Sequence, residues 1–286
     1  MVVVEMPWMM SIVTALPSNV KKIYIHHELR YIRNSLELES FGHTLFRESA
    51  VKVAKILEIG LLNMYDAVVT LSAVDKNKLM ENGVIVPIYS SFAIVDNESF
   101  QELTNSEKPY VLSFVGWGTH LPNKVGIQWF LVNCWNHLLE MRPEYHLNII
   151  GKWDENEMAM YMDSYPHLHF LGFVENLSDE LKGTVMIVPI TIGSGIRMKI
   201  LEAASLSVPF VTTSIGVEGL EFKNGESCLI GDTPEDFLNG ILAMESRDVR
   251  NRMVNMAKQI VETKYSFDAL RRNRLEILSK VINKAI

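Results

Sequence analysis

Short, β-rich apolar runs alternate with longer amphipathic stretches along almost the whole chain. Strands that each need a covering segment before the next strand build parallel sheets flanked by helices, so this alternation excludes most other architectures. In the first third the pattern predicts strands over residues 2–5, 22–26, 67–71 and 84–89, a helix after the first of these, and a long helix over 44–64. The polar stretch 96–109, "DNESFQELTNSEKP", reads as a linker. Beyond it, strands are expected over 110–115, 146–150, 168–171, 185–190, 210–212 and 228–230, with helices over 125–141 and 196–206. Three helical patterns, 234–245, 249–263 and 267–282, close the chain. The division expected is a partial Rossmann-like domain with its linker over 1–105, a complete doubly wound domain over 106–265, and a helix over 266–286 packing back on the first domain. The first domain opens on a strand with no glycine loop behind it, so a fragment or a shortened enzyme is expected.

At 286 residues and 48% hydrophobic the chain can bury two modest cores. A net charge of -7, with Lys and Arg scattered, gives no footprint for a nucleic-acid backbone. Any anion must therefore be met by local groups. Cys134 and Cys228 are far apart in sequence and form neither a disulfide framework nor a C-x-x-C site, which fits a reducing, cytoplasmic setting. The apolar start has no basic region and carries Glu5, unlike a signal peptide. No stretch reaches the roughly 18 uncharged apolar residues of a membrane span, which leaves only peripheral contact open.

Residues 189–211, "PITIGSGIRMKILEAASLSVPFV", carry the chemistry. An apolar strand delivers the chain to Gly193, Ser194 and Gly195, and a helix follows from Ile196. Exposed N–H groups and the positive end of the helix dipole suit an anion, and glycines let a phosphate approach the backbone. Arg197 and Lys199 put two cations in the first turn, where the dipole disfavours them. A bound diphosphate would offset that. Glu202 lies about 10 Å along the helix from Gly195, near enough to accept from ribose hydroxyls. The same residues would also serve as an ordinary Lys199–Glu202 surface pair beside a glycine turn.

Gly116 closes a strand in "SFVGWGTHLPNK" and could admit a phosphate or sugar, with Lys124 at the start of the next helix in reach of the same crevice. "HHELRYIR" places His26 and His27 at a strand end, either facing a crevice or opening a helix. "SAVD", Ser72 to Asp75, fits a helix cap. The sequence has no G-x-S-x-G, Walker loop, H-E-x-x-H or D-x-D, so no metal ligands or cofactor motif are evident.

In order and spacing, "HHELRYIRN", "YDAVVTLSAVDKNKL", "FVGWGTHLPNKVGIQWF", "LNIIG", "LHFLGFVENL", the glycine–cation segment and "NGESCLIGDTPEDF" resemble the retaining GT-B glycosyltransferases of family 4, the group 1 type. The resemblance implies an α/β fold of two facing Rossmann-like domains, here with the N-terminal one incomplete. It implies a metal-independent, retaining hexosyl transfer from a UDP- or GDP-sugar to a glycan or lipid-linked acceptor, in the cytoplasm or at the inner face of the membrane, for polysaccharide synthesis. Donor binding would fall to Gly116, Lys124, Gly193, Ser194, Gly195, Ile196, Arg197, Lys199 and Glu202, with no cofactor. Two positions depart from the family: Ser194 stands where its first glutamate would touch the donor sugar, and Trp117 where its arginine would stand. The base stays unassigned, with His26 and His27 as acceptor-side candidates. The alternative is a non-catalytic remnant that binds a nucleotide sugar or a partner.

Overall fold

A computed structural model describes residues 1–95 and 108–283. The linker expected over 96–109 lies outside them but for its last two residues. The first sheet has four parallel strands in chain order: β1 (Val2–Val4), β2 (Lys22–His26), β3 (Ala67–Thr70) and β4 (Ile88–Ser90). Its helices are α1 (Arg30–Phe41), α2 (Leu45–Leu62) and α3 (Ala73–Glu81). The alternation of side chains along each strand divides the core in two. Tyr24 and Val68 pack with Leu29, Leu62 and Leu79 on one face. Ile23, Ile25, Ala67 and Val69 meet Ile277 and Val281 of the last helix, α11 (Phe267–Asn283), on the other. Burial on both faces is why these strands read as unbroken apolar runs.

The second sheet has six parallel strands: β5 (Val111–Val115), β6 (His146–Ile150), β7 (Leu168–Gly172), β8 (Val185–Val188), β9 (Phe210–Thr212) and β10 (Leu229–Ile230). Their spatial order is β10-β9-β8-β5-β6-β7. Read from the other edge this is the doubly wound order 3-2-1-4-5-6, whose direction reverses between β5 and β8. Leu112, Phe114, Ile187 and Val211 turn to one face under α4 (Leu121–Phe130), α5 (Asn136–Met141) and α9 (Pro234–Ala243). Met186, Val188 and Phe210 turn to the other, under α8 (Met198–Ser205) and α10 (Arg247–Lys264).

Local chemistry accounts for the departures from the sequence reading. The strand expected over 84–89 is only Ile88–Ser90, because residues 84–87 close the turn out of α3, with Val84 N–H donating to Leu79. The segment after β1 is a 3₁₀ helix, Pro7–Ala15. The strand expected to reach residue 190 stops at Val188, since Pro189 has no N–H to pair. The helix expected from 125 begins at Leu121, with Pro122 in its first turn, and runs into α5 through a π-helical turn at Leu131–Trp135. Two helices were not expected: α6 (Glu155–Ser164), capped by Asp154, and α7 (Leu177–Leu181), capped by Asn176. No described helix is long and apolar enough to cross a membrane.

Candidate functional site

The carboxyl ends of the two sheets face each other. The loop after β8 meets the end of β2 at Gly195, and the loop after β9 meets the end of β3 at Gly219. Gly195 has φ of 80°, and a Cβ there would sit 3.2 Å from the His27 carbonyl and 3.4 Å from Glu28 Cβ. Only a residue without a side chain allows that approach and that backbone. Ser194 Oγ lies 3.5 Å from the Leu29 carbonyl, and Lys78 of α3 pairs with Glu218 at 2.9 Å. A cleft of about 530 Å³ opens between the halves, bordered by His27 and Glu28 on one side and by His120, Ser194, Ile196 and Arg197 on the other. It adjoins the reversal point between β5 and β8, where open α/β sheets bind ligands.

Arg197 is the N-cap residue of α8 and is only 9% exposed. Its Nη1 donates to the carbonyls of Ser194 (2.7 Å) and Gly195, which shapes the glycine loop. Its Nε and Nη2 are buried with no hydrogen-bond partner among the described residues. Burial lowers the pKa of this guanidinium, opposed by Glu218, Asp75 and Glu28. An unmet buried donor costs about 1–3 kcal/mol, more when charged, so this guanidinium is held at a cost to the fold.

Lys199, two residues along, does not pair with Glu202. Its Nζ reaches back to Asn123 Oδ1 on α4 at 2.7 Å and lies 4.3 Å from the centre of the Phe114 ring. Burial, then Arg197, push its pKa down to about 7, with Glu202 opposing. Glu202 is half-buried, and burial raises its pKa against the pull of Lys199. Desolvation outweighs the mutual attraction, so both groups lean toward neutrality. Gly116 completes this corner: a Cβ on it would fall 2.5 Å from Asn123 Nδ2 and 2.8 Å from Lys199 Nζ.

The structure thus gathers Gly193, Ser194, Gly195, Ile196 and Arg197 with His27 around the cleft mouth, and Gly116 with Lys199 beside it. Two expected residues stand elsewhere. Lys124 is held in an ion pair with Glu157 of α6, which raises its pKa, and does not reach this crevice. His26 is 2% exposed, with Nε2 at 2.9 Å from Glu58 Oε1, and does not reach the cleft. Glu58 also accepts the Tyr31 N–H at 3.0 Å and the Arg30 N–H at 3.3 Å, so this pair caps α1 from the interior. Ser72 and Asp75 form the expected cap of α3, with Ser72 Oγ accepting from Asp75 N–H at 3.0 Å. Asn123 and His120 escaped the sequence reading, although both lie in the quoted "GTHLPNK". The pKa of His120 is lowered by burial, then by Lys199 and Arg33, which places it in the same cationic neighbourhood.

Residues 109–246 match the family described as glycosyl transferases group 1. The second unit is a group 1 glycosyltransferase domain. No curated protein sequence matches the chain. Among solved structures, sucrose-phosphate synthase from Thermosynechococcus elongatus is 13% identical at a TM-score of 0.76, over 97% of this chain and 72% of that one. TarM, described from S. aureus, is 14% identical at 0.71, over 96% and 53%. HepE from Anabaena, in complex with UDP, is 13% identical at 0.68, over 91% and 72%. At such identities the likeness concerns the fold, which is GT-B. The chain spans about half the length of TarM.

Proposed function

We propose that this chain is a glycosyltransferase that takes a sugar from a nucleotide-diphosphate donor and passes it, with retention of configuration and without a metal, to a glycan or lipid-linked acceptor. The observation that carries this reading is the pair of unmet Arg197 donors beside the glycine loop of a group 1 domain. Arg197 and Lys199 would stabilise the diphosphate as it leaves, where fixed charges in a dry site contribute most. Glu202 would accept from the ribose hydroxyls, and Ser194 would face the donor sugar. Solved neighbours support the donor class: HepE is described in complex with UDP-glucose, and GtfA, the pneumococcal O-GlcNAc transferase, with UDP and GlcNAc. His27, at the cleft on the first-domain side, is the acceptor-side candidate. The cytoplasm, at the inner face of the membrane, is the proposed place of action. Beside Gly195 the first half offers the His27 carbonyl and the Glu28 side chain, with no assigned base between them, which keeps the second reading, a donor-binding protein without transfer, in view.

The test is slow transfer of the sugar to water from UDP-, GDP- and ADP-sugars with EDTA present, followed by NMR in the first minutes, before mutarotation. One donor should release its sugar with the anomeric configuration kept. Released sugar of inverted configuration would contradict the reading, and tight binding with no turnover would favour the second one.

A further inference from the structure

Asn123 has no role in the donor reading above, on which this inference rests. It is 6% exposed in the first turn of α4. Its Nδ2 donates to the Trp117 carbonyl at 3.0 Å, which fixes the sense of the amide and leaves Oδ1 to face Lys199 Nζ at 2.7 Å. The contact bridges residues 76 positions apart and draws an ammonium from α8 to the end of β5, where Gly116 leaves the room. The groups facing that ammonium are Arg197 and Glu202 from its own segment, His120 from the start of α4, and the Phe114 ring from β5. No carboxylate among the described residues lies within ion-pair distance of it; Arg197 repels it, and Glu202 attracts it only from farther off. A neutral acceptor in this place differs from a carboxylate in one respect: it holds the ammonium's position without neutralising the charge a ligand would use.

We propose that Asn123 is a positioning residue that presents the Lys199 amine to the donor's diphosphate, and that this amine takes up a proton as the diphosphate binds. The low-lying titration of Lys199 fits, since an amine half-protonated near neutrality gains its proton when an anion arrives.

The experiment is titration calorimetry with the tightest of UDP-glucose, GDP-mannose and ADP-glucose, none of whose diphosphates titrates between pH 6 and 8.5. Each run is repeated in two buffers of different ionisation enthalpy. The parent should take up a fraction of a proton above pH 7 and lose affinity by up to about tenfold per pH unit there. Lys199→Met should bind weakly with no proton uptake. Asn123→Ala should bind about tenfold more weakly even at pH 6, where the amine is charged. Asn123→Asp, of the same shape, should keep the lysine charged and flatten the pH profile. Parent-like affinity and pH profile in both Asn123 variants, or unchanged proton uptake in Lys199→Met, would overturn the proposal while leaving the donor reading intact. A parent that binds none of the three sugars at any pH would overturn both.

Discussion

The two halves of the molecule meet their buried charges differently. In the first, Glu58 takes His26 and two backbone N–H groups, and the atom left without a partner among the described residues is the neutral-capable Nδ1 of His26. In the second, Arg197 keeps two unmet donors, and Lys199 has a neutral amide for its partner. A buried charge that the fold compensates belongs to structure, and one it leaves uncompensated stores a cost that a ligand can relieve. The difference is also one of place: His26 lies inside the first half, away from the cleft, whereas Arg197 lines the cleft and Lys199 lies beside Gly116.

Mutations in the two regions should therefore part in sign. Glu58→Ala strands His26 and the start of α1, and should cost about 3–5 kcal/mol of stability by denaturant titration. Its folded fraction should keep the parent's donor affinity. Glu202→Gln should leave stability nearly unchanged and weaken nucleotide binding by about 1.5–3 kcal/mol, the value of a hydrogen bond to a charged group, measurable by calorimetry.

Lys199→Met should lose donor affinity yet raise stability at pH 7 by roughly 1–2 kcal/mol, because a desolvated cation gives way to an apolar chain. The sign follows from linkage: the folded site releases its proton near pH 7, while the unfolded chain holds it toward the ordinary lysine value of 10.5. Stability through this group is therefore lowest below pH 7 and rises with pH across that window. Melting curves at pH 7 and 9 should show the variant's advantage shrinking at pH 9. The smallest effect belongs to Lys124→Ala. Its half-exposed pair with Glu157 is worth about 0–1 kcal/mol, and nucleotide binding should not change.

Much of this was legible in the chain. Unbroken apolar runs marked the strands, because burial on both sheet faces leaves no polar positions in β2, β3 or β8 beyond their ends. The glycine–cation segment was readable because its parts are consecutive. What escaped were pairings between distant residues: Lys124 with Glu157, Lys199 with Asn123, His26 with Glu58. Nothing local distinguishes a lysine that reaches a crevice from one that turns to a glutamate 33 positions on. The helix α6 was missed because "ENEMAMYMDS" has no clean apolar stripe, and its cap at Asp154 was the one signal available.

The most direct test of the central claim is a thermal-shift panel of UDP, GDP, ADP and their sugar conjugates on the parent, Arg197→Met and Glu202→Ala. At a hundredfold excess over Kd, a ligand specific to the native state adds about 2.7 kcal/mol, which moves Tm by about 5 °C or more in a chain of this size. The account predicts such a shift in the parent with one nucleotide class and its loss in both variants. A cooperative melt that no nucleotide moves, or a shift that both variants retain in full, would contradict it.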